Sequence, residues 1–187
     1  MVRKIKTCVF ISGKGSNLKS IIKSSRDDKF PIKIELIISN NTKSNGFNIG
    51  KKNNIPYLCF SNKSQKKFER NALISMRERK IKFLCLAGFM KILSRNFIKT
   101  FGHKIINIHP SLLPKFKGLN THKRVLKSKD KYAGCSVHFV TPNVDGGKVI
   151  LQKKVFIEKN ETEKSLKNKI LSQEHKLYSQ SIRLLFN

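Results

Sequence analysis

The chain has 187 residues, 39% of them apolar, and carries 40 Lys and Arg against 11 Asp and Glu, a formal net charge of +29. This length is near that of one domain and allows a substantial core, so we expect a single domain over residues 1–187. No run approaches the roughly 18 apolar residues of a membrane helix, and residues 1–7 lead directly into a strand pattern rather than a signal segment. These features predict a cytoplasmic protein and exclude a membrane-spanning one.

Lysine excess is the strongest compositional bias. Clustered positive charge would indicate a nucleic-acid partner, because cations bind polyphosphate by releasing counterions. Here the lysines are spread along the whole chain, and the surplus of Lys, Asn and Ile is what an AT-rich genome would encode. A solvated, biased surface is the preferred interpretation, and a nucleic-acid-binding protein on this scaffold is the alternative from another functional class.

Strand and helix patterns alternate over most of the chain. Apolar runs of strand length are followed by stretches with apolar residues three or four positions apart. Strands are predicted at residues 5–11, 32–39, 56–60, 82–87 and 104–108, and helices at 17–24, 44–53 and 66–79. This α/β pattern predicts a mostly parallel, twisted sheet of about seven strands with helices on both faces. Ligands of such sheets bind beyond the carboxyl ends of the strands.

The pattern changes from residue 134 onward. Residues 136–140 and 148–156 are strand-like and flank Asp145-Gly146-Gly147, a hairpin signal that predicts an antiparallel C-terminal pair. Residues 161–185 have the spacing of a closing helix. No linker or internal repeat divides the chain.

A glycine-rich loop, Ser12–Asn17, lies between the first strand and the first helix. Backbone amides and the helix dipole favour an anion there, and a phosphate is the natural ligand. The loop lacks P-loop spacing, and Leu18 occupies the third glycine position of a dinucleotide fingerprint. The plainer alternative is that Ser16 or Asn17 only caps the helix.

Asn107 and His109 leave the strand at 104–108 and should project on the same side of it. An amide donor beside an imidazole suits acyl transfer, because charge builds on the carbonyl oxygen while the attacking amine loses a proton. The alternative is a turn-capping Asn and a satisfied core His. Asp145 has two compatible interpretations: a turn residue, and a carboxylate that orients His109 and raises its pKa. His109, His122 and His138 lack metal-ligand spacing, so no metal is expected.

Taken in order, the motifs resemble those of the phosphoribosylglycinamide formyltransferase family. The matching segments are Ile11–Leu18, Leu86–Ser94, Asn107–Pro114, Gly118–His122, Ser136–Val140 and Asp145–Gln152, and the resemblance continues to Gln173–His175. It implies a Rossmann-like formyltransferase fold. The implied reaction moves a formyl group from 10-formyltetrahydrofolate to the amine of glycinamide ribonucleotide, in de novo purine (IMP) biosynthesis, without a metal.

The resemblance also implies roles for catalytic residues. Asn107 would donate to the formyl oxygen. His109 would act as proton donor and, as imidazolium, stabilise the tetrahedral oxyanion. Asp145 would raise the pKa of His109, and Ser136 would support this group.

Substrate contacts follow from the same resemblance. The ribonucleotide phosphate would lie against Gly15, Ser16 and Asn17, and Glu174 would contact the glycinamide end. The folate would be bordered by Gln65, Met90, Lys91, Ile92, Leu93 and Asn107.

Two departures from the family pattern concern the folate. Gln65 stands where the family commonly has an Arg toward the folate tail, so Lys66 or Lys67 would substitute for that charge. Lys91 likewise stands in place of an Arg.

A methionyl-tRNA formyltransferase, which shares the Asn-x-His core, is the nearest enzyme alternative, but the chain lacks the length for its second domain. We expect small-molecule substrates, a monomer or weak homodimer, and no membrane or nucleic-acid partner.

Overall fold

All seven strands in the part of the chain that the structure describes join one sheet. The computed structural model describes residues 4–61 and 64–186, so the ends of the expected 1–187 domain lie outside the described residues. The strands are β1 Ile5–Ile11, β2 Ile32–Ser39, β3 Tyr57–Cys59, β4 Phe83–Leu86, β5 Lys104–His109, β6 Tyr132–Phe139 and β7 Val149–Phe156. The helices are α1 Ser16–Ser25, α2 Gly46–Lys52, α3 Gln65–Glu78, α4 Arg95–Phe101, α5 Thr121–Lys127 and α6 Glu163–Phe186.

The strand order is β3-β2-β1-β4-β5-β6-β7. Strands β1 to β5 pair in parallel, whereas β5-β6 and β6-β7 pair antiparallel. Strand β1 has β2 on one side and β4 on the other, so the strand order reverses between β1 and β4. A crevice forms at such a reversal beyond the carboxyl ends of the strands. The predicted mostly parallel sheet of about seven strands, with an antiparallel C-terminal pair, is confirmed.

Two apolar cores lie on opposite faces of the sheet. In β1, Val9 and Ile11 belong to the core on the side of α1 and α6, while Cys8 and Phe10 belong to the core on the side of α3 and α4. All four side chains are fully buried, because both faces of the strand are covered. The sequence of β1 is therefore continuously apolar over these four residues and does not alternate between apolar and polar residues. Helices on both faces are therefore confirmed.

Two short helices, α4 and α5, are absent from the sequence prediction. Each has seven residues, and only two side chains of each are buried, Phe97 and Phe101 in α4 and Thr121 and Val125 in α5. So few buried positions give too weak a helical period to detect. In α4 the Ser94 hydroxyl accepts a hydrogen bond from the Phe97 amide and starts the helix.

The connection around Asp145 differs from the predicted turn. Strand β6 begins at Tyr132 and ends at Phe139, and β7 begins at Val149, so residues 140–148 form a longer loop instead of a tight Asp-Gly hairpin. Asp145 lies in this loop with φ 44°, a left-handed conformation that Asp tolerates better than most residues. The Asp-Gly pair bends the loop, but it does not join the strands directly.

Within the described ranges, none of the helices has both the length and the apolar character needed to cross a membrane.

Candidate active site

Asn107 and His109 lie at the carboxyl end of β5 on one face of the sheet. The residues between and before them, Ile106 and Ile108, point into the core on the side of α1 and α6. Alternation along a strand therefore places Asn107 and His109 on the opposite face, as predicted. In the antiparallel ladder with β6, Asn107 pairs with His138 and His109 pairs with Ser136.

Asp145 reaches this cluster from the loop between β6 and β7. Its Oδ2 lies 3.3 Å from His109 Nδ1, and Oδ1 lies 3.5 Å from His138 Nε2. Oδ2 also accepts a hydrogen bond of 2.9 Å from the Gly118 amide. Burial alone would raise the pKa of Asp145, but the contacts with His138, the Gly118 N–H and His109 hold it below the usual carboxyl range. The carboxylate is thus charged at neutral pH, between two imidazoles.

The pKa of His109 is lowered from its usual value, although Asp145 acts to raise it, as predicted. Burial is the largest cause, since desolvation penalises the imidazolium. The pKa of His109 is raised by the Phe116 carbonyl, which lies 3.0 Å from Nε2, and by the Asp145 carboxylate. His138 and Arg124 lower it further. Asp145 acts in the expected direction, but it does not outweigh burial.

The loop after His109 is held by Ser136 and Gln152. Ser136 Oγ donates to the Ser111 carbonyl at 2.6 Å and accepts from the Leu113 amide at 3.1 Å. The Gln152 side chain donates to the Leu113 carbonyl at 2.7 Å and to Ser136 Oγ at 2.8 Å. Because this loop carries the Phe116 carbonyl that contacts His109, Ser136 supports the cluster through backbone rather than by touching the imidazole.

His138 belongs to the cluster, although its position in the sequence suggested only a possible metal ligand. Its Nε2 lies 3.3 Å from Asn107 Nδ2 as well as 3.5 Å from Asp145. The signal that would have found it is the spacing from Ser136, since residues two apart on a strand share a face. Which strand lies opposite, however, is not visible in the sequence.

The glycine-rich loop presents free backbone amides, as expected for an anion site. Gly15 precedes α1 with φ 73°, a conformation that glycine adopts without strain. No side-chain hydrogen bond caps the helix within the described part of the chain, and Ser16 and Asn17 lie inside its first turn. Their interpretation as simple caps is therefore wrong, and the first-turn amides remain available to a ligand.

Asn17 and Glu174 meet across α1 and α6. The Asn17 amide donates to Glu174 Oε2 at 2.7 Å, and Glu174 is only 7% exposed. Burial raises the pKa of Glu174, against the lowering effects of Asn17 and Lys167. Asn17 Oδ1 is buried and has no partner among the residues that the structure describes, so an acceptor remains open to a ligand donor.

The candidate folate segment, Met90–Leu93, lies beyond the end of β4. Met90 is 69% exposed and Ile92 is 58% exposed, which is unusual for side chains of this size and typical of a binding surface. Lys91 is exposed, whereas Leu93 is 4% exposed within the core, so Leu93 could offer a ligand little beyond its backbone. The Met90 amide donates to Ser12 Oγ at 2.9 Å, which ties this segment to the glycine-rich loop.

Gln65 is engaged with the protein itself. Its side-chain amide donates to the Ile92 carbonyl at 2.7 Å and to Glu69 Oε1 at 2.9 Å. Glu69 in turn accepts from the amide and the hydroxyl of Ser94. The side-chain nitrogen of Gln65 thus ties the candidate folate segment to α3.

Among the residues that the structure describes, no three or more His, Cys, Asp or Glu side chains are grouped so that they could hold a metal ion.

Comparison with known proteins agrees with this geometry. A family model described as formyl transferase matches residues 5–182. The trifunctional purine biosynthetic protein adenosine-3 of Homo sapiens is 37% identical over 186 residues, covering 98% of this chain and 18% of that protein. The phosphoribosylglycinamide formyltransferase of Haemophilus influenzae is 38% identical over 176 residues, covering 92% of this chain and 83% of that one. The chain spans 14–18% of the trifunctional relatives that it matches.

A solved structure gives the same relationship. The crystal structure of phosphoribosylglycinamide formyltransferase from Anaplasma phagocytophilum matches with a TM-score of 0.90 and 37% identity, covering 98% of this chain and 87% of that one. The similarity therefore extends over all seven strands, and the chain belongs to the phosphoribosylglycinamide formyltransferase family.

Proposed function

We propose that this protein transfers the formyl group of 10-formyltetrahydrofolate to the amine of glycinamide ribonucleotide, as a cytoplasmic monomer or weak homodimer. The observation that carries the proposal is the position of the Asn107, His109 and Asp145 cluster. It lies at the same edge of the sheet as a free helix N-terminus suited to phosphate and an exposed apolar segment suited to a pterin ring. Membership of the phosphoribosylglycinamide formyltransferase family supports the choice of both substrates.

The reaction joins the substrate amine nitrogen to the formyl carbon and breaks the bond from that carbon to N10 of the folate. In the tetrahedral intermediate the formyl oxygen carries negative charge, which the Asn107 N–H can stabilise. Burial keeps His109 neutral for a large share of its population near pH 7, so it can accept the proton that the amine loses. The resulting imidazolium is stabilised by Asp145 and can protonate the departing N10.

His109 has an acceptor at each ring nitrogen in the structure, Asp145 at Nδ1 and the Phe116 carbonyl at Nε2. Two acceptors suit the imidazolium. In the neutral imidazole Nδ1 keeps its proton toward Asp145 and Nε2 holds a lone pair, so the contact with the Phe116 carbonyl is released. A substrate atom that exchanges protons with His109 therefore takes the position of the Phe116 carbonyl at Nε2.

A two-substrate assay tests the proposal. Purified protein should release tetrahydrofolate from 10-formyltetrahydrofolate only when glycinamide ribonucleotide is present, and formylglycinamide ribonucleotide should appear in equal amount. Hydrolysis of the folate without an acceptor would contradict the proposal. Formylation of methionyl-tRNA in place of the ribonucleotide would instead support the related transferase.

Glu174 provides a test of the ribonucleotide site. In Glu174→Gln the side chain keeps an oxygen that accepts from Asn17, so the helix contact is retained while the negative charge is lost. We expect the KM for glycinamide ribonucleotide to rise about tenfold, since a hydrogen bond to a charged group contributes about 1.5–3 kcal/mol. The KM for the folate should change little. Steady-state kinetics measures both constants, and an unchanged ribonucleotide KM would remove Glu174 from this site.

Gln65 and its neighbouring lysines should affect folate binding in different ways. Lys66 and Lys67 are exposed, so replacing both with Gln should raise the KM for polyglutamylated folate, and this effect should shrink at high salt. Gln65→Ala should raise the KM for mono- and polyglutamylated folate alike, with little dependence on salt, because it releases the Ile92 carbonyl. KM measured with both folates at two ionic strengths separates these effects. Tight, salt-independent tail binding without the two lysines would contradict their role.

A further inference from the structure

His138 is buried directly opposite Asn107 in the ladder between β5 and β6. It is 2% exposed, so its ring is fixed by the protein and does not exchange contacts with water. Both of its ring nitrogens have defined neighbours. The protonation state of the ring can therefore be deduced from what those neighbours donate or accept.

The Nδ1 atom of His138 lies 2.9 Å from the backbone carbonyl of Phe139. A carbonyl oxygen can only accept a hydrogen bond, so Nδ1 carries a proton. In a neutral imidazole the other nitrogen, Nε2, then holds a lone pair and can only accept.

The neighbours of Nε2 fit this neutral form. Asn107 Nδ2, a donor, lies 3.3 Å away, while the nearer carboxylate oxygen of Asp145 lies 3.5 Å away. The latter distance is beyond the usual range of an N–H···O hydrogen bond. The lowered pKa of Asp145 does not require a proton on Nε2 of His138, because the Gly118 amide and His109 lower it as well.

The consequence concerns the orientation of the Asn107 side chain. An amide is nearly symmetric in shape, and without a neighbour that discriminates between its ends it could present either N–H or C=O to the substrate. An acceptor at His138 Nε2 selects the orientation with Nδ2 toward the histidine. The second hydrogen of Nδ2 takes part in no other hydrogen bond with the residues the structure describes, and it remains free for a ligand.

We propose that neutral His138, protonated at Nδ1, is a positioning residue that orients the Asn107 amide so that an N–H, and not the carbonyl, meets the formyl oxygen. The role of Asn107 toward the formyl oxygen rests on the proposed function. The protonation state of His138 is deduced from its contacts and does not depend on that function. The reversed amide would place its oxygen against the developing oxyanion and would repel it. His138 thus acts on the reaction without touching either substrate.

Two variants of His138 separate its nitrogens. The amide of a Gln side chain reaches the position of Nε2, whereas that of Asn reaches only the position of Nδ1. His138→Gln therefore can keep an acceptor for Asn107, and His138→Asn cannot. We expect His138→Asn to lower kcat about ten- to a hundredfold, less than the roughly 10²–10³-fold expected for complete loss of an oxyanion donor. His138→Gln should lower kcat less than His138→Asn does. In both variants the KM values for the folate and the ribonucleotide should be nearly unchanged.

A double-mutant cycle identifies the residue through which His138 acts. In an Asn107→Ala background, His138→Asn should have almost no further effect on kcat, because there is no amide left to orient. In an Asp145→Asn background it should retain its effect. The opposite pattern would mean that His138 acts through Asp145 and would overturn the proposal. The exposed His103, changed to Asn, is the matched control for loss of a histidine.

A measurement on the unaltered protein does not depend on activity. Nitrogen-15 spectra of histidine-labelled protein at neutral pH should show a protonated Nδ1 and an unprotonated Nε2 for His138, assigned by the signal that disappears in His138→Gln. Protonation of both nitrogens, or of Nε2 alone, would overturn the inference even if the two-substrate assay succeeds. Failure of that assay with the expected spectrum would instead reject the proposed reaction and leave the protonation state established.

Discussion

Replacing His109 with alanine is expected to lower kcat by about 10²–10⁴-fold, the range typical of a general acid–base catalyst. The variant loses the acceptor for the amine proton and the cation that would stand beside the oxyanion. Folate and ribonucleotide binding should change much less, because neither the α1 amides nor the Met90–Leu93 segment depends on the imidazole. Single-turnover formyl transfer with both substrates saturating measures the chemical step directly.

The control for this prediction is His103→Ala, since His103 is exposed at the start of β5, at the opposite end of that strand from the cluster. It should retain full activity. A His109→Ala enzyme with nearly normal single-turnover rates would reject the role assigned to the imidazole.

The second large effect is expected for Asp145→Asn, which we predict to lower kcat by roughly 10⁴-fold, as for other carboxylates that orient a catalytic histidine. The substituted amide keeps an oxygen for the Gly118 N–H, so the loop between β6 and β7 can remain in place. The negative charge that stabilises the imidazolium is lost. Thermal unfolding of both proteins checks that the fold is retained.

The same variant has a defined effect on pH dependence. Asp145 raises the pKa of His109, although burial lowers it further than Asp145 restores. Removing the carboxylate should therefore lower the pKa of His109 further. If neutral His109 accepts the amine proton, activity rises with pH through this pKa, and that rise should occur at lower pH in Asp145→Asn. A shift of this limb to higher pH would contradict the assigned interaction.

Local pattern was sufficient for much of the fold. Some elements depend only on residues close in sequence, so they could be predicted. They are the buried apolar strands β1 and β4, the loop at Gly15 and the long helix α6 with its helical spacing of apolar residues. The helices α4 and α5 could not, because each buries only two side chains. The shared side of Asn107 and His109 also followed from alternation along one strand.

Contacts between distant segments could not be predicted in the same way. Gln65 was expected to border the folate from the family pattern, and only the structure shows its hydrogen bond to the Ile92 carbonyl, 27 positions away in sequence. The direction of the His109 pKa shift depends on burial, which is a property of the packed molecule. The sequence indicated correctly that Asp145 raises the pKa of His109, but it could not indicate the larger opposing effect of burial, because desolvation has no local signal.

The sequence by itself therefore determined the α/β architecture, the position of the glycine-rich loop and, through ordered motifs, the family. Only the tertiary structure decided that His138 stands opposite Asn107, that the Phe116 carbonyl occupies the second nitrogen of His109, and that burial sets the sign of its pKa shift. The physical reason is that strand register, loop closure and desolvation arise from contacts between residues far apart in the chain. The spacing of residues along the sequence does not show which distant residues come into contact.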